Sequence, residues 1–230
     1  MTKVKFGLKN VHFFPLTETE SQGVYSMSYG AAINCPGAVN LQLDVSDSEA
    51  EPFYADDSVY YLPAPKAGGY TGTLEVALIP DELKQKLMNY KVDEDGVMTE
   101  ITETKTLYAG MTFEIETDDK ARKLVYYKVQ LGSPSLAANT TEDTKTPTTD
   151  TLPITVLPTN KTFTFGTGAD ATVTTVISGY STASTDATVY AGWHSEPHLP
   201  TEPVPPTPDP DPDPDPDPDP ENPDNTDPVG

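Results

Sequence analysis

The chain has 230 residues, 36 acidic against 14 basic side chains for a formal net charge of −22, one cysteine and 24 prolines. Half of the prolines fall in residues 201 to 230 with ten acids and no base, which leaves 26 acids against 14 bases, or −12, on residues 1 to 200. The sole arginine, Arg122, excludes the bidentate phosphate and base contacts of a sequence-specific DNA reader, and the sole cysteine, Cys35, excludes an internal disulfide and reads as a small packed apolar group.

These shifts divide the chain into a body, residues 1–200, and an acidic Pro-Asp tail, residues 201–230. A body of that size buries about 70% of its unfolded surface and needs neither disulfide nor metal to fold. The first ten residues carry positive charge with no apolar run behind it, and no stretch approaches about twenty apolar residues, so neither a secretory signal nor a membrane span is expected. The expected site of synthesis is cytoplasmic, and the sequons at Asn139 and Asn160 read as chance.

In chain order, His12 lies in an apolar, strand-like stretch beside Phe13 and Phe14, where a packed histidine is the ordinary outcome. Val39, Leu41, Leu43 and Val45 alternate with Asn40, Gln42 and Asp44, the period of a half-buried strand. Ser58 to Leu62 and Thr71 to Ile79 are further strands by their Thr, Val and Tyr content. Pro80 to Tyr90 reads as a helix with Pro80 in its first position. Asp81 and Glu82 sit at its positive end, Lys84, Lys86 and Lys91 towards its negative end, and Leu83 and Leu87 form one apolar stripe. Asp93-Glu94-Asp95-Gly96 begins like a calcium loop but lacks the closing acid, and reads as a turn with Gly96 at positive φ.

Met111, Phe113 and Ile115 alternate with Thr112, Glu114 and Glu116. After a turn at Thr117 to Lys120, Leu124 to Leu131 returns with Val125, Tyr127, Val129 and Leu131 on one face, which predicts a long hairpin. The Thr-rich segment at about 132–151 is too polar to hold a core, and is either a partner-contacting loop or a solvated connection. Thr151 to Leu157 and Ala171 to Ile177 are strands, with a turn at Gly166-Thr167-Gly168 rather than a phosphate loop. His194 and His198 have a zinc-like spacing, but Pro197 between them opposes the helix that such a site needs. Leu199-Pro200-Thr201-Glu202 departs from a sortase signal, because an acidic repeat follows it. Repeated prolines and mutually repelling aspartates predict an unfolded, extended tail of up to roughly 90 Å. No catalytic constellation, cofactor motif or metal set emerges.

Landmarks along the body are Gly7 to His12, Pro36-Gly37-Ala38-Val39, Phe53-Tyr54-Ala55-Asp56-Asp57, Tyr70-Thr71-Gly72 through Ile79-Pro80, Asp93 to Val97, Tyr126-Tyr127, Ser133-Pro134-Ser135, Glu142-Asp143-Thr144-Lys145 and Asp150-Thr151-Leu152. In this order, as far as Trp193, they resemble the major tail protein family of long-tailed, siphovirus-type bacteriophages, similar to those infecting Gram-positive hosts. The resemblance implies an antiparallel β-sandwich with one flanking helix, with Gly37, Phe53, Tyr54, Tyr70, Gly72, Leu83, Leu87 and Trp193 as fold landmarks. It implies a structural virion protein, not an enzyme. Six copies would form each ring, and stacked rings a tail tube for DNA ejection, with loops and arms bridging neighbours; Ser133, Pro134, Glu142, Asp143 and Lys145 are the candidate self-assembly residues. Expected partners are the chain itself, a tape measure and a tail terminator. DNA would only pass through, with no membrane and no cofactor involved. The Pro-Asp tail falls outside the family pattern. The alternative is a surface-displayed β-sandwich adhesin on a Pro-rich stalk; a third reading makes the tail a linker to a further domain.

Overall fold

The computed structural model describes residues 4–47, 53–55, 58–61, 67–102, 105–135 and 147–203. Strands dominate: β1 (Lys5–Ser21), β2 (Val24–Tyr29), β3 (Ile33–Asn34), β4 (Ala38–Asp47), β5 (Phe53–Ala55), β6 (Ser58–Tyr61) and β7 (Ala67–Val76) precede helix α1 (Asp81–Leu87). After it come β8 (Tyr90–Val92), β9 (Met98–Glu100), β10 (Tyr108–Thr117), β11 (Arg122–Leu131), β12 (Asp150–Val156), β13 (Thr162–Phe165), β14 (Thr172–Thr175), β15 (Ser178–Tyr180) and helix α2 (Ala187–Gly192).

The principal sheet runs β2-β1-β10-β11-β12-β7-β4, every pair antiparallel, with β3 added to β1 and β15 to β11. Three short hairpins, β5-β6, β8-β9 and β13-β14, stand beside it. Val11 and Phe13 from β1, Met111 and Phe113 from β10, Leu152 and Ile154 from β12, and Leu74 and Val76 from β7 enter one buried cluster. The sheet therefore folds over until its two halves enclose a shared core, a β-sandwich flanked by α1. Taking a side chain such as Phe13 or Leu74 out of water stabilises the fold by about 1.5–3 kcal/mol each.

Helix α1 presents Leu83 and Leu87 to this core, as their four-residue spacing requires. It is shorter than the expected Pro80–Tyr90. Pro80 has extended backbone (ψ 138°) and caps the helix from outside its first turn, and the left-handed Asn89 (φ 57°) ends it, so Lys91 falls in β8. The β7 strand runs from Ala67 to Val76, not from Thr71 to Ile79. Its successor Ile79 is held instead by a hydrogen bond from its backbone N–H to Asp150 Oδ2 (3.1 Å).

Two expectations about facing fail for one physical reason, a bulge that shifts the period of two. Between the pairs Ala109↔Val129 and Met111↔Tyr126, β10 advances two residues while β11 advances three. Val129 and Leu131 therefore face the main core with Tyr126 and Leu124, whereas Val125 and Tyr127 face away, into a second cluster with Trp193. In β4, the shift between Ala38 and Asn40 turns Val39 out to solvent while Ala38, Leu41 and Leu43 pack inward; Val45 keeps the register of Leu41 and Leu43 and is exposed near the end of the strand. Thr112, expected on an open face, is fully buried, because the segment carrying His194 crosses over it.

That crossing segment includes α2, a second helix beyond the one anticipated. Asp186 caps it, its Oδ1 accepting from the N–H groups of Thr188 (2.8 Å) and Val189 (3.3 Å), and these bonds hold the carboxyl below the usual carboxylate range. The indole of Trp193 then anchors the chain, donating from Nε1 to Leu124 O (3.1 Å).

Candidate self-assembly edges

Gln22 and Gly23 both take left-handed backbone (φ 52° and 79°), the requirement of a two-residue hairpin turn whose twist matches its strands, and this turn sets β2 against β1. Register then assigns the hydrogen bonds. Ser21 and Val24 close the turn, so Val24, Ser26 and Ser28 bond inward to β1, as does Gly30 N–H to Pro15 O (2.8 Å). Tyr25 and Met27 aim their N–H groups outward, where β2 has no strand partner among the described residues. The strand reads Val-Tyr-Ser-Met-Ser-Tyr, without the lysine, proline or charge by which edge strands ordinarily resist pairing. Val24 is 69% exposed and Tyr25 37%.

At the opposite end of the sheet, β4 pairs with β7 on one side and with no strand on the other among the described residues. It contains no lysine or proline, and it exposes Val39 and Val45. Two glycines hold it close to β7. A Cβ on Gly72 would lie 1.9 Å from Gln42 O, and Gly37 enters β4 at φ 79° while its carbonyl accepts from Ala77 N–H (2.8 Å).

Beneath β2 the strands are cross-tied by part-buried polar contacts. Lys128 Nζ meets Glu18 Oε2 at 2.6 Å, with side chains only 6% and 14% exposed. The same carboxylate accepts from Asn160 N–H (3.3 Å) and Nδ2 (3.2 Å), and the ammonium lies 4.5 Å from the Tyr108 ring centroid. Tyr29 donates its hydroxyl to Tyr127 O (2.8 Å), and burial raises that phenol well above its ordinary pKa. Together these contacts tie β1, β2 and β11 to one another beneath that border.

The residues singled out in the sequence are dispersed. Ser133 donates to Glu100 Oε1 (3.4 Å) at the base of the β8-β9 hairpin, Pro134 is half-buried, and Ser135 bridges to Thr151. Glu142, Asp143 and Lys145 lie outside the described residues. Phe53 and Tyr54 belong to β5; Tyr70 packs against the core with its ring 5.7 Å from that of Tyr126; Trp193 is buried on the outer face. Asp93 Oδ1 accepts from the N–H groups of Asp95 (3.0 Å) and Val97 (2.8 Å), with Gly96 at φ 82°, so this segment is a turn. Gly166 and Gly168, both at positive φ, carry the chain from β13 to β14. Neither His194 nor His198 is on a helix: His194 stacks on His12, and His198 on Trp193.

Glu18, Lys128 and the β2 border were not anticipated. The Gln22-Gly23 pair was the available signal, since it marks a tight turn between two Thr- and Ser-containing strands. No protein-family model matches the chain, and no curated protein matches its sequence.

Proposed function

We propose that the chain is a tail tube subunit of a long-tailed bacteriophage, a non-catalytic β-sandwich that assembles into stacked hexameric rings through which DNA passes. One observation carries this reading: among the described residues a single sheet ends in two open borders, and the β2 border has no charge or proline to refuse a partner. Head-to-tail contact between two different borders is heterologous, and such contacts close into rings when the rotation allows it.

Acidity fits the same reading. Six bodies of −12 bring −72 to each ring, and acids on the channel wall repel phosphates within about 8 Å at physiological salt. DNA then slides without adhering. The working unit is the polymer, with tape measure and tail terminator proteins as its further partners.

Negative-stain microscopy of the purified protein tests the reading. Rings or tubes are expected; dispersed monomers that bind glycan or cells would favour a surface adhesin instead. Deleting residues 201 to 230 is expected to leave the rings intact, since both borders lie in the body.

A further inference from the structure

Residues 187 to 200 cross the outer face of β10 and β11 from end to end. At one end Tyr190 donates its hydroxyl to Ala121 O (2.8 Å), and its carbonyl accepts from Lys123 Nζ (2.9 Å). At the other, Pro197 packs beside Gly110, where an added Cβ would lie 3.2 Å from its Cγ. Trp193, the only tryptophan of the chain, packs between them with Val125 and Tyr127.

The polar centre of this contact is His194. Its ring stacks on that of His12 from β1 at 5.1 Å, and its Nδ1 lies 3.0 Å from Thr112 Oγ1 of β10. The other ring nitrogen, Nε2, is buried with no hydrogen-bond partner. Glu114 Oε2 lies 3.5 Å from it, within ion-pair range but without hydrogen-bond geometry, and this same oxygen already accepts from Asn10 Nδ2 (3.0 Å). Lys123 on β11 faces the ring from the third strand, and Tyr190 lies between Lys120 and Lys123, whose ammonium groups are 3.6 Å and 4.3 Å from its ring centroid. Beyond Glu114, Glu116 is engaged by Lys9.

We propose that this segment is an acid-released latch: protonation of His194 detaches residues 187 to 203 from β10 and β11 while the main core stays folded. A neutral imidazole suits the site and a cation does not. Burial, then Lys123, then His12 disfavour the charged ring, and Glu114 only partly compensates, so docked His194 titrates below its ordinary value of 6.5. A detached His194 titrates near that ordinary value. Docking is therefore at full strength above about pH 6.5 and is lost as pH falls through the docked-state value, because the detached state binds the extra proton. The main cluster is apolar and contains no member of this group, so it has no reason to open in the same step.

Trp193 reports the event directly. Emission of the full chain, followed from about pH 8 to about pH 5, is expected to shift to the red in one step below pH 6.5, with far-UV circular dichroism unchanged. Replacing Glu114→Gln removes the one group that favours the docked cation and so moves the release midpoint to higher pH; His194→Phe abolishes the step. Constant emission, a simultaneous collapse of the circular dichroism, or an acid step that survives His194→Phe would overturn the latch. Should that variant not fold, a midpoint that fails to rise in Glu114→Gln is equally fatal to it.

Discussion

Strands β10 and β2 lie one strand apart in the same sheet and solve opposite problems. The centre of β10 has a strand on either side, the core against Met111 and Phe113 on one face, and the His194 segment over Thr112 on the other. The β2 strand has β1 on one side and no described strand on the other, and the residues of its outer face, Val24, Ser26 and Ser28, are exposed. Every backbone donor of a strand needs an acceptor, and water supplies it as readily as a neighbour does. What distinguishes β2 is that nothing in its composition favours water over a neighbour. The interior is finished within one chain, whereas the β2 border has no strand partner among the described residues, and the proposed function gives that place to a second copy.

The sharpest way to break this contrast is to damage the interior. Phe13→Ala is expected to cost about 3–5 kcal/mol through lost burial and the cavity left behind, a large share of the roughly 5–15 kcal/mol that holds a typical domain. Denaturant midpoints read this loss, and assembly disappears with the fold. A Phe13→Ala protein as stable as the parent would mean that the core is misplaced.

Next in size is the support beneath β2. Glu18→Gln leaves the Lys128 ammonium buried without its counter-charge, a defect that typically costs about 3 kcal/mol or more. Replacing both partners together, Glu18→Met with Lys128→Met, is expected to recover most of that loss, because the desolvation penalty of both ions is removed. A double variant as unstable as the single one would show that the pair holds the border by more than charge balance.

The smallest effect on the monomer is the most informative about function. Val24→Lys with Ser28→Lys places two charges on the exposed outer face of β2 and is expected to change monomer stability by within about 0.5 kcal/mol. The same change is expected to abolish rings and tubes in the microscope, since lysine on an edge strand is a standard guard against pairing. Intact tubes from this variant would move the interface to another part of the molecule.

Much of the fold was legible in the sequence, and the part that was not has identifiable causes. Period-two alternation in Val39 to Val45 and in Met111 to Ile115 located β4 and β10 without aid from tertiary contacts. Leu83 and Leu87 gave α1 its buried face. Alternation does not announce a bulge, so Val125 and Tyr127 were assigned to the wrong side of β11; the extra residue shows only in the pairing. The α2 helix is six residues long, too short for a periodic pattern, although Asp186 before it is an ordinary cap residue. Open borders are harder still, because an edge strand is defined by what it lacks. Glu18 and Lys128, 110 positions apart, looked like two surface charges among many until the strand order brought them together.

Amide hydrogen exchange at Tyr25 and Met27, measured in dilute monomer and again in assembled particles, tests the central claim most directly. Both N–H groups point away from β1, so they are expected to exchange freely in the monomer and to become protected when a sister strand accepts from them. Protection that is equally weak in monomer and particle would show that the β2 border is not where copies join.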